Sequence, residues 1–278
     1  MPRPCLWRGL GLALMVAARV AGAEPDGAEV SAPPPVPIVT LDALPLGVPT
    51  DALAPAARDR AEGVLGASIF AQRVTGIRHE SRDAVFRFLL DHPDFAAAVA
   101  RALGLGEYRI TPLDDGYWAD DNRGATGVVR VLYADESRRL FHLEGRYERR
   151  RLPTIEGQIL VLLEFHHGED ERGRGIVESS LTGHVRIDTP LVGAVAQIVS
   201  ALSRPLVERA VERKVRRFFR TVARVSRWAH DEPEQLAAAL DGHPEVPPGP
   251  VLAGFRAVLL AGRPPAWARL PFRLLPDP

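Results

Sequence analysis

The chain has 278 residues, of which 46% are hydrophobic and 25% are charged, a composition typical of a globular protein with a core and not of a disordered chain. The 35 basic residues balance 35 acidic ones, so the chain as a whole has no general electrostatic attraction to nucleic acid. This length predicts one sizeable domain with short additional segments.

The first 23 residues carry the three parts of a secretory signal peptide. Arg3 and Arg8 supply the basic part, an apolar run follows, and the residues at 21–23 are small. We predict cleavage after Ala23 and export, with the periplasm as the destination. The alternatives are an uncleaved anchor or a buried N-terminal helix.

Three further segments follow the signal peptide. Residues 24–50 contain seven prolines and little apolar periodicity, which predicts an extended Pro-rich linker. Residues 51–230 show a strand, two short helices, several antiparallel strands joined by polar turns, and a long helix. Residues 231–278 are predicted to form short helices and a Pro-rich C-terminal tail. This order of elements predicts an α+β fold.

The stretch SRDAVFRFLLDHPDF after the first predicted strand, with the element order over about 68–229, resembles the START-like, or helix-grip, superfamily of lipid-transfer domains and aromatic polyketide cyclases. The resemblance implies a curved antiparallel sheet wrapped around a long C-terminal helix, with a ligand cavity between them. It implies no fixed catalytic residues, and no cofactor is predicted. The alternative architecture is an α+β sandwich whose helix packs tightly and leaves no cavity.

Alternation of side chains along the strands assigns the inner face of the sheet. This face is almost entirely apolar, which predicts contacts with an apolar small molecule or a lipid. Gly145 and Gly183 fall on it, and they either widen a cavity or mark bends. With the apolar first half of the long helix, the predicted ligand-binding residues are Tyr133, Phe141, Tyr147, Leu163, Ser179, Leu181, Val195 and Ile198.

The outer face of the sheet carries both leucines and histidines. Leu160 and Leu162 point outward and need a cover, which is the N-terminal arm, the C-terminal tail or a second subunit; self-association through these leucines is therefore one prediction. His142 and His184 also point outward, where a solvated sheet face is expected. The inner face then lacks an acid–base pair, which argues against catalysis.

The stretch SRPLVERAVERKVRRFFRTVARVSRWA, at 203–229, predicts an amphipathic helix with an arginine face opposite a valine-rich face. The arginine face is either solvated or bound to an anionic membrane surface. It lacks interleaved aromatic residues, so nucleic acid is not a predicted partner. The predicted membrane-surface residues are Arg213, Arg217, Arg220 and Arg224.

No metal site is predicted. His166 and His167 are adjacent on a strand and point to opposite faces, whereas zinc needs three or four converging ligands. The acidic stretch DDGYWADDNRG lacks the calcium-loop pattern, and its Tyr117 and Trp118 are candidates for a pocket rim or for core contacts. Three functions stay open: an exported binding protein for an apolar molecule, a cyclase- or dehydratase-type enzyme, and a protein-interaction module without a cavity.

Overall fold

The computed structural model describes residues 48, 50–148, 154–171, 173–189 and 204–261. The predicted signal peptide, nearly all of the Pro-rich linker and the end of the C-terminal tail lie outside these described residues. So do Val195 and Ile198, two of the predicted ligand-binding residues.

The described residues form an α+β fold, as the sequence predicts. A short 3-10 helix at Thr50–Ala52 comes first. The helices are α1 (Pro55–Leu65), α2 (Asp83–Asp91), α3 (Pro93–Ala102), α4 (Arg204–Asp231), α5 (Pro233–Leu240) and α6 (Pro250–Leu260). The strands are β1 (Phe70–Glu80), β2 (Arg109–Leu113), β3 (Gly116–Asp120), β4 (Ala125–Ala134), β5 (Arg138–Tyr147), β6 (Ile155–Glu169) and β7 (Gly175–Ile187).

The strands form one antiparallel sheet in the order β1-β7-β6-β5-β4-β3-β2. The pairing register is irregular between Val74 and Ile77 on β1 and between Val131 and Tyr133 on β4. Gly76, with φ of 66°, supplies the left-handed backbone at the first of these bulges, a conformation that glycine adopts without a steric penalty. A bulge bends its strand and changes which side chains face inward beyond it.

Three glycines lie side by side across the middle of the sheet. Gly127 on β4 pairs with Gly145 on β5, and Gly145 pairs with Gly157 on β6. A Cβ atom on Gly145 would overlap the carbonyl oxygen of Thr126, and one on Gly127 would overlap that of Glu144. The backbones therefore approach one another more closely here than side chains would allow.

Helices pack on the inner side of the sheet and at one end of it. Helix α4 lies against β1, and its last turns share a buried cluster with α2, α3, α5 and α6. Phe95, Leu236 and Phe255 are fully or almost fully buried in this cluster. Arg82 connects the same helices, since its guanidinium donates to the carbonyl oxygens of Leu259 (2.7 Å) and Ala229 (3.3 Å).

Helix α1 covers the outer face of the sheet. Leu160 and Leu162 are 0% and 1% exposed, and they pack in one cluster with Ala61 and Val64 of α1 and with Val48. The predicted self-association through Leu160 and Leu162 is therefore wrong, because a helix of the same chain already buries both side chains.

Candidate ligand-binding site

A pocket of about 430 Å³ lies between the inner face of the sheet and helices α2, α3 and α4. This volume falls in the range of small-molecule sites, which are concave and mostly apolar. The sheet contributes Phe141, Leu143, Ile159, Val161, Leu163, Leu181, Gly183 and Val185 to the wall. The helices contribute Phe86, Leu89, Leu90, Val99, Val215, Phe219, Val222 and Val225.

The local sequence explains why these side chains converge. On β5, β6 and β7 the inward residues are every second one, as strand geometry requires. On α4 the wall residues Val215, Phe219, Val222 and Val225 recur at helical spacing, which places them on one side of the helix. An apolar helix face therefore closes over an apolar sheet face.

The predicted ligand-binding residues divide into two groups. Phe141, Leu163 and Leu181 lie in the pocket wall. Tyr147 and Ser179 are buried but do not line the pocket: Tyr147 packs against Ile155 beyond it. The Ser179 hydroxyl has no hydrogen-bond partner among the described residues.

The predicted inward position of Tyr133 is wrong. Alternation from Val131 predicts that Tyr133 faces inward, but the bulge between them moves Tyr133 to the outer cluster with Leu140 and Leu160. Its hydroxyl donates to Asp135 at 2.9 Å.

One ion pair lies in the wall of the pocket. Arg139, at the start of β5, donates to Asp91 Oδ1 at 3.0 Å, and it also donates to the carbonyl oxygens of Asp135 and Arg138. The pair joins the end of α2 to β5. Val131 also lines the pocket and is 46% exposed.

Neutral polar groups complete the wall. They are Gln72, Tyr108, Tyr117 and Thr221. Burial raises the pKa of Tyr108, against a smaller lowering by Arg101. Burial also raises the pKa of Tyr117, with further contributions from Asp94 and Asp91. Both phenols therefore stay protonated near neutral pH, and each can donate or accept a hydrogen bond.

Sequence reasoning missed most of these polar residues. Alternation that puts Phe141 inward also puts Arg139 inward, and alternation from Val74 does the same for Gln72, so a usable signal existed for both. Tyr117 was a rim candidate and does line the pocket. Tyr108 stands just before β2 and had no such signal.

The histidines differ from expectation in their surroundings. His142 is on the outer face but only 1% exposed, because α1 covers that face, and its Nε2 donates to Gln158 Oε1 at 3.1 Å. A solvated environment for His142 is thus wrong. Burial lowers the pKa of both His142 and His184.

His79 is a buried inward residue that the sequence analysis did not identify. Its ring contacts Phe86 and Phe219, two residues of the pocket wall, and neither ring nitrogen has a hydrogen-bond partner in the described part of the chain. Burial, and secondly the charge of His167, lowers the pKa of His79 to about 4. Within the described ranges, no three His, Cys, Asp or Glu side chains are placed to hold a metal ion.

The exposed side of α4 is rich in arginine. Arg213, Arg220 and Arg224 are exposed, and no described carboxylate lies at ion-pair distance from them. Arg216 differs, because it pairs with Glu212 at 2.9 Å and donates to the carbonyl oxygen of Thr75. The side chain of Arg217 lies outside the described residues. No helix in the described part of the chain is long and apolar enough to cross a membrane.

Comparisons with known proteins give weak likenesses. No protein-family model matches the chain, and no curated protein matches it. The crystal structure of Ara h 8.0201 is 16% identical, with a TM-score of 0.27, and the match covers 52% of this chain and 95% of that one. An uncharacterized protein from Rhizobium leguminosarum is 17% identical, with a TM-score of 0.25 and coverages of 52% and 97%. Likenesses of this size do not place the chain in a family.

Proposed function

We propose that this protein binds an apolar small molecule or lipid in the pocket between the sheet and α4, and that it is a START-like carrier of helix-grip architecture. The observation that carries the proposal is the pocket itself, about 430 Å³ with an almost wholly apolar wall. Apolar surface facing a space of this size is stabilised when a ligand removes it from water.

The arrangement of elements supports the helix-grip part of the proposal. An antiparallel sheet of seven strands presents its inner face to a 28-residue helix, and the pocket lies where the two meet. The signal peptide proposed at residues 1–23 adds export to the periplasm, where an apolar molecule needs a carrier to cross water.

Binding is favoured over catalysis by the position of the histidines. His142 and His184 lie on the face of the sheet opposite the pocket, and His79 stands behind Phe86 and Phe219. The cyclase-type alternative needs a histidine within hydrogen-bond reach of a bound substrate. The alternative of a module without a cavity is disfavoured by the volume of the pocket.

The direct test is native mass spectrometry of the protein, exported and purified without detergent, before and after organic extraction. We expect a defined apolar mass that leaves with the extraction, or uptake of one class from a panel of lipids. An apo mass with no uptake from the panel would move the assignment to an interaction module.

A second part of the proposal concerns the arginine face of α4, which would hold the carrier at anionic membranes. Each basic residue near such a surface contributes about 1 kcal/mol, so reversal of Arg213, Arg220 and Arg224 to Glu should weaken binding to phosphatidylglycerol vesicles by more than about a hundredfold. Co-sedimentation measures this, with phosphatidylcholine vesicles as the uncharged reference.

The control carries the same charge change elsewhere. Arg109, Arg146 and Arg256 lie on two strands and on α6. If net charge alone decides the binding, reversal of these three residues to Glu should weaken vesicle binding to within a few-fold of the level of the α4 variant. If the two triple variants lose binding equally, the arginine face is not a specific membrane surface.

A further inference from the structure

The charged groups in the described part of the pocket wall lie together at one place. Arg139 and Asp91 are the only charged side chains among the described wall residues, and Nη2 of Arg139 donates to Oδ1 of Asp91 at 3.0 Å. The other polar side chains of this wall are neutral. Among the described residues, the head of a charged ligand therefore finds an opposite charge in the wall only at this pair.

The pocket wall meets solvent at the same place. Of the wall residues that the structure describes, three are exposed, namely Asp91, Val131 and Ala134. Ala134 pairs with Arg139 across β4 and β5, and Val131 pairs with Phe141, the next inward residue of β5. A polar head beside Arg139 can therefore keep contact with water while an apolar chain lies in the pocket.

The guanidinium of Arg139 keeps hydrogen-bond donors for a further acceptor. Its Nη1 donates to the carbonyl oxygens of Asp135 and Arg138, and its Nη2 uses one hydrogen for Asp91. Nε and the second hydrogen of Nη2 have no acceptor among the described residues, and the side chain stays 11% exposed. Two of the five N–H donors of an arginine are thus left for a ligand.

Asp91 is a weak partner for this guanidinium. Its side chain is 52% exposed, and exposed carboxylates gain little from an ion pair because water hydrates and screens them. Opposite charges attract more strongly where water is excluded. A carboxylate on the apolar side of Arg139 is screened less than Asp91 is, and it can therefore compete with Asp91 for the guanidinium. The exposed wall residues leave this head some water, which limits its desolvation cost.

We propose that Arg139 is a head-group site, which binds the carboxylate of a long-chain acid whose apolar chain fills the pocket. This rests on the function proposed above and narrows its ligand to an anionic amphiphile. Arginine binds carboxylates through short, charge-assisted hydrogen bonds. A chain of twelve carbon atoms, each taking the roughly 30 Å³ of a water molecule, occupies about 360 Å³, and the pocket of about 430 Å³ accommodates it.

The test is competition at pH 8 against N-phenyl-1-naphthylamine, an uncharged probe that fluoresces in apolar surroundings. The competitors share a twelve-carbon chain and differ in the head: dodecanoate is anionic, methyl dodecanoate is uncharged and dodecylamine is cationic. We expect dodecanoate to bind at least about tenfold more tightly than the ester, the effect of a hydrogen bond to a charged group. The amine should bind no more tightly than the ester, because Arg139 repels its positive charge.

Two substitutions should change the preference for dodecanoate over the ester in opposite directions. Arg139→Gln removes the positive charge, so the preference should disappear. Asp91→Asn removes the competing carboxylate, so the preference should rise several-fold. Asp241→Asn is the matched control, since Asp241 is also an exposed aspartate (58%) that pairs with an arginine, Arg256, and it lies outside the pocket wall. This control should leave the preference unchanged.

The outcomes separate this inference from the proposed function. If neither the probe nor any competitor binds, the pocket is not a ligand site and both proposals fail. If the three competitors bind equally, or the amine binds most tightly, the pocket stands and the head-group site is overturned. A preference for dodecanoate that survives Arg139→Gln overturns it as well. If Arg139→Gln does not fold, Asp91→Asn decides, because an unchanged preference in that variant would also overturn the site.

Discussion

Filling the pocket from the sheet side is the most direct perturbation that the structure offers. Gly183 lies in the pocket wall, and a Cβ atom built on it meets no atom within 4 Å. Its backbone is not in the left-handed region, so a larger residue brings no conformational strain. Gly183→Leu therefore places a side chain in open apolar space.

The magnitudes can be worked from the volume. Four added carbon atoms, each about the 30 Å³ of a water molecule, occupy roughly 120 Å³, more than a quarter of the 430 Å³ pocket. Because the walls are closely packed, they shift little to make room for the added side chain. We therefore expect the affinity for N-phenyl-1-naphthylamine to fall at least about tenfold. Burying a leucine contributes roughly 1.5–3 kcal/mol, so the melting temperature should stay level or rise.

Gly168→Leu is the matched control. Gly168 also lies in a strand, a Cβ atom there also meets nothing within 4 Å, and the residue is exposed and outside the pocket wall. Fluorescence titration and thermal denaturation of both variants complete the experiment. A folded Gly183→Leu protein that binds the probe as tightly as Gly168→Leu would refute the assignment of the ligand to this pocket.

Two further substitutions test the core. Since the pKa of His79 is lowered to about 4 in the folded chain, the unfolded chain binds the proton first as pH falls below 6.5, and stability is lost between 6.5 and 4. The difference in free energy of unfolding between His79→Phe and the unaltered protein should therefore rise in favour of the variant by on the order of 3 kcal/mol from pH 7 to pH 4, as measured by urea denaturation. Leu160→Ala should lower the free energy of unfolding by about 2–5 kcal/mol at pH 7, because Leu160 is fully buried under α1.

Each of these has a result that would contradict it. A pH-independent difference between His79→Phe and the unaltered protein would mean that His79 titrates normally in the folded state. The control for Leu160→Ala is Leu260→Ala, at a leucine that is 42% exposed. Equal costs for the two leucines would mean that α1 does not cover the sheet.

Much of the wall was predictable because strand and helix periodicities are local. Alternation identifies Phe141, Leu163 and Leu181 as inward residues, and helical spacing identifies Val215 and Val222 as the apolar side of α4. Neither inference needs a distant contact, since a residue's neighbours at two, three or four positions along the chain decide it.

A β-bulge shifts the alternation of inward and outward side chains by one residue. Simple alternation from Val74 would turn His79 outward, but the irregularity at Gly76 brings it inward. The irregularity after Val131 sends Tyr133 the other way. A bulge depends on the hydrogen bonds of the paired strand, so the faces beyond it cannot be found from one strand alone.

What the sequence by itself determined is the α+β order of elements, the apolar inner face and the arginine face of α4, because each follows from spacing within one segment. Tertiary structure alone decided that α1 buries Leu160, that Arg139 and Asp91 pair in the pocket wall, and that His79 is buried against Phe86 and Phe219. These facts join residues far apart in the chain, and only the packed fold sets the distances between them.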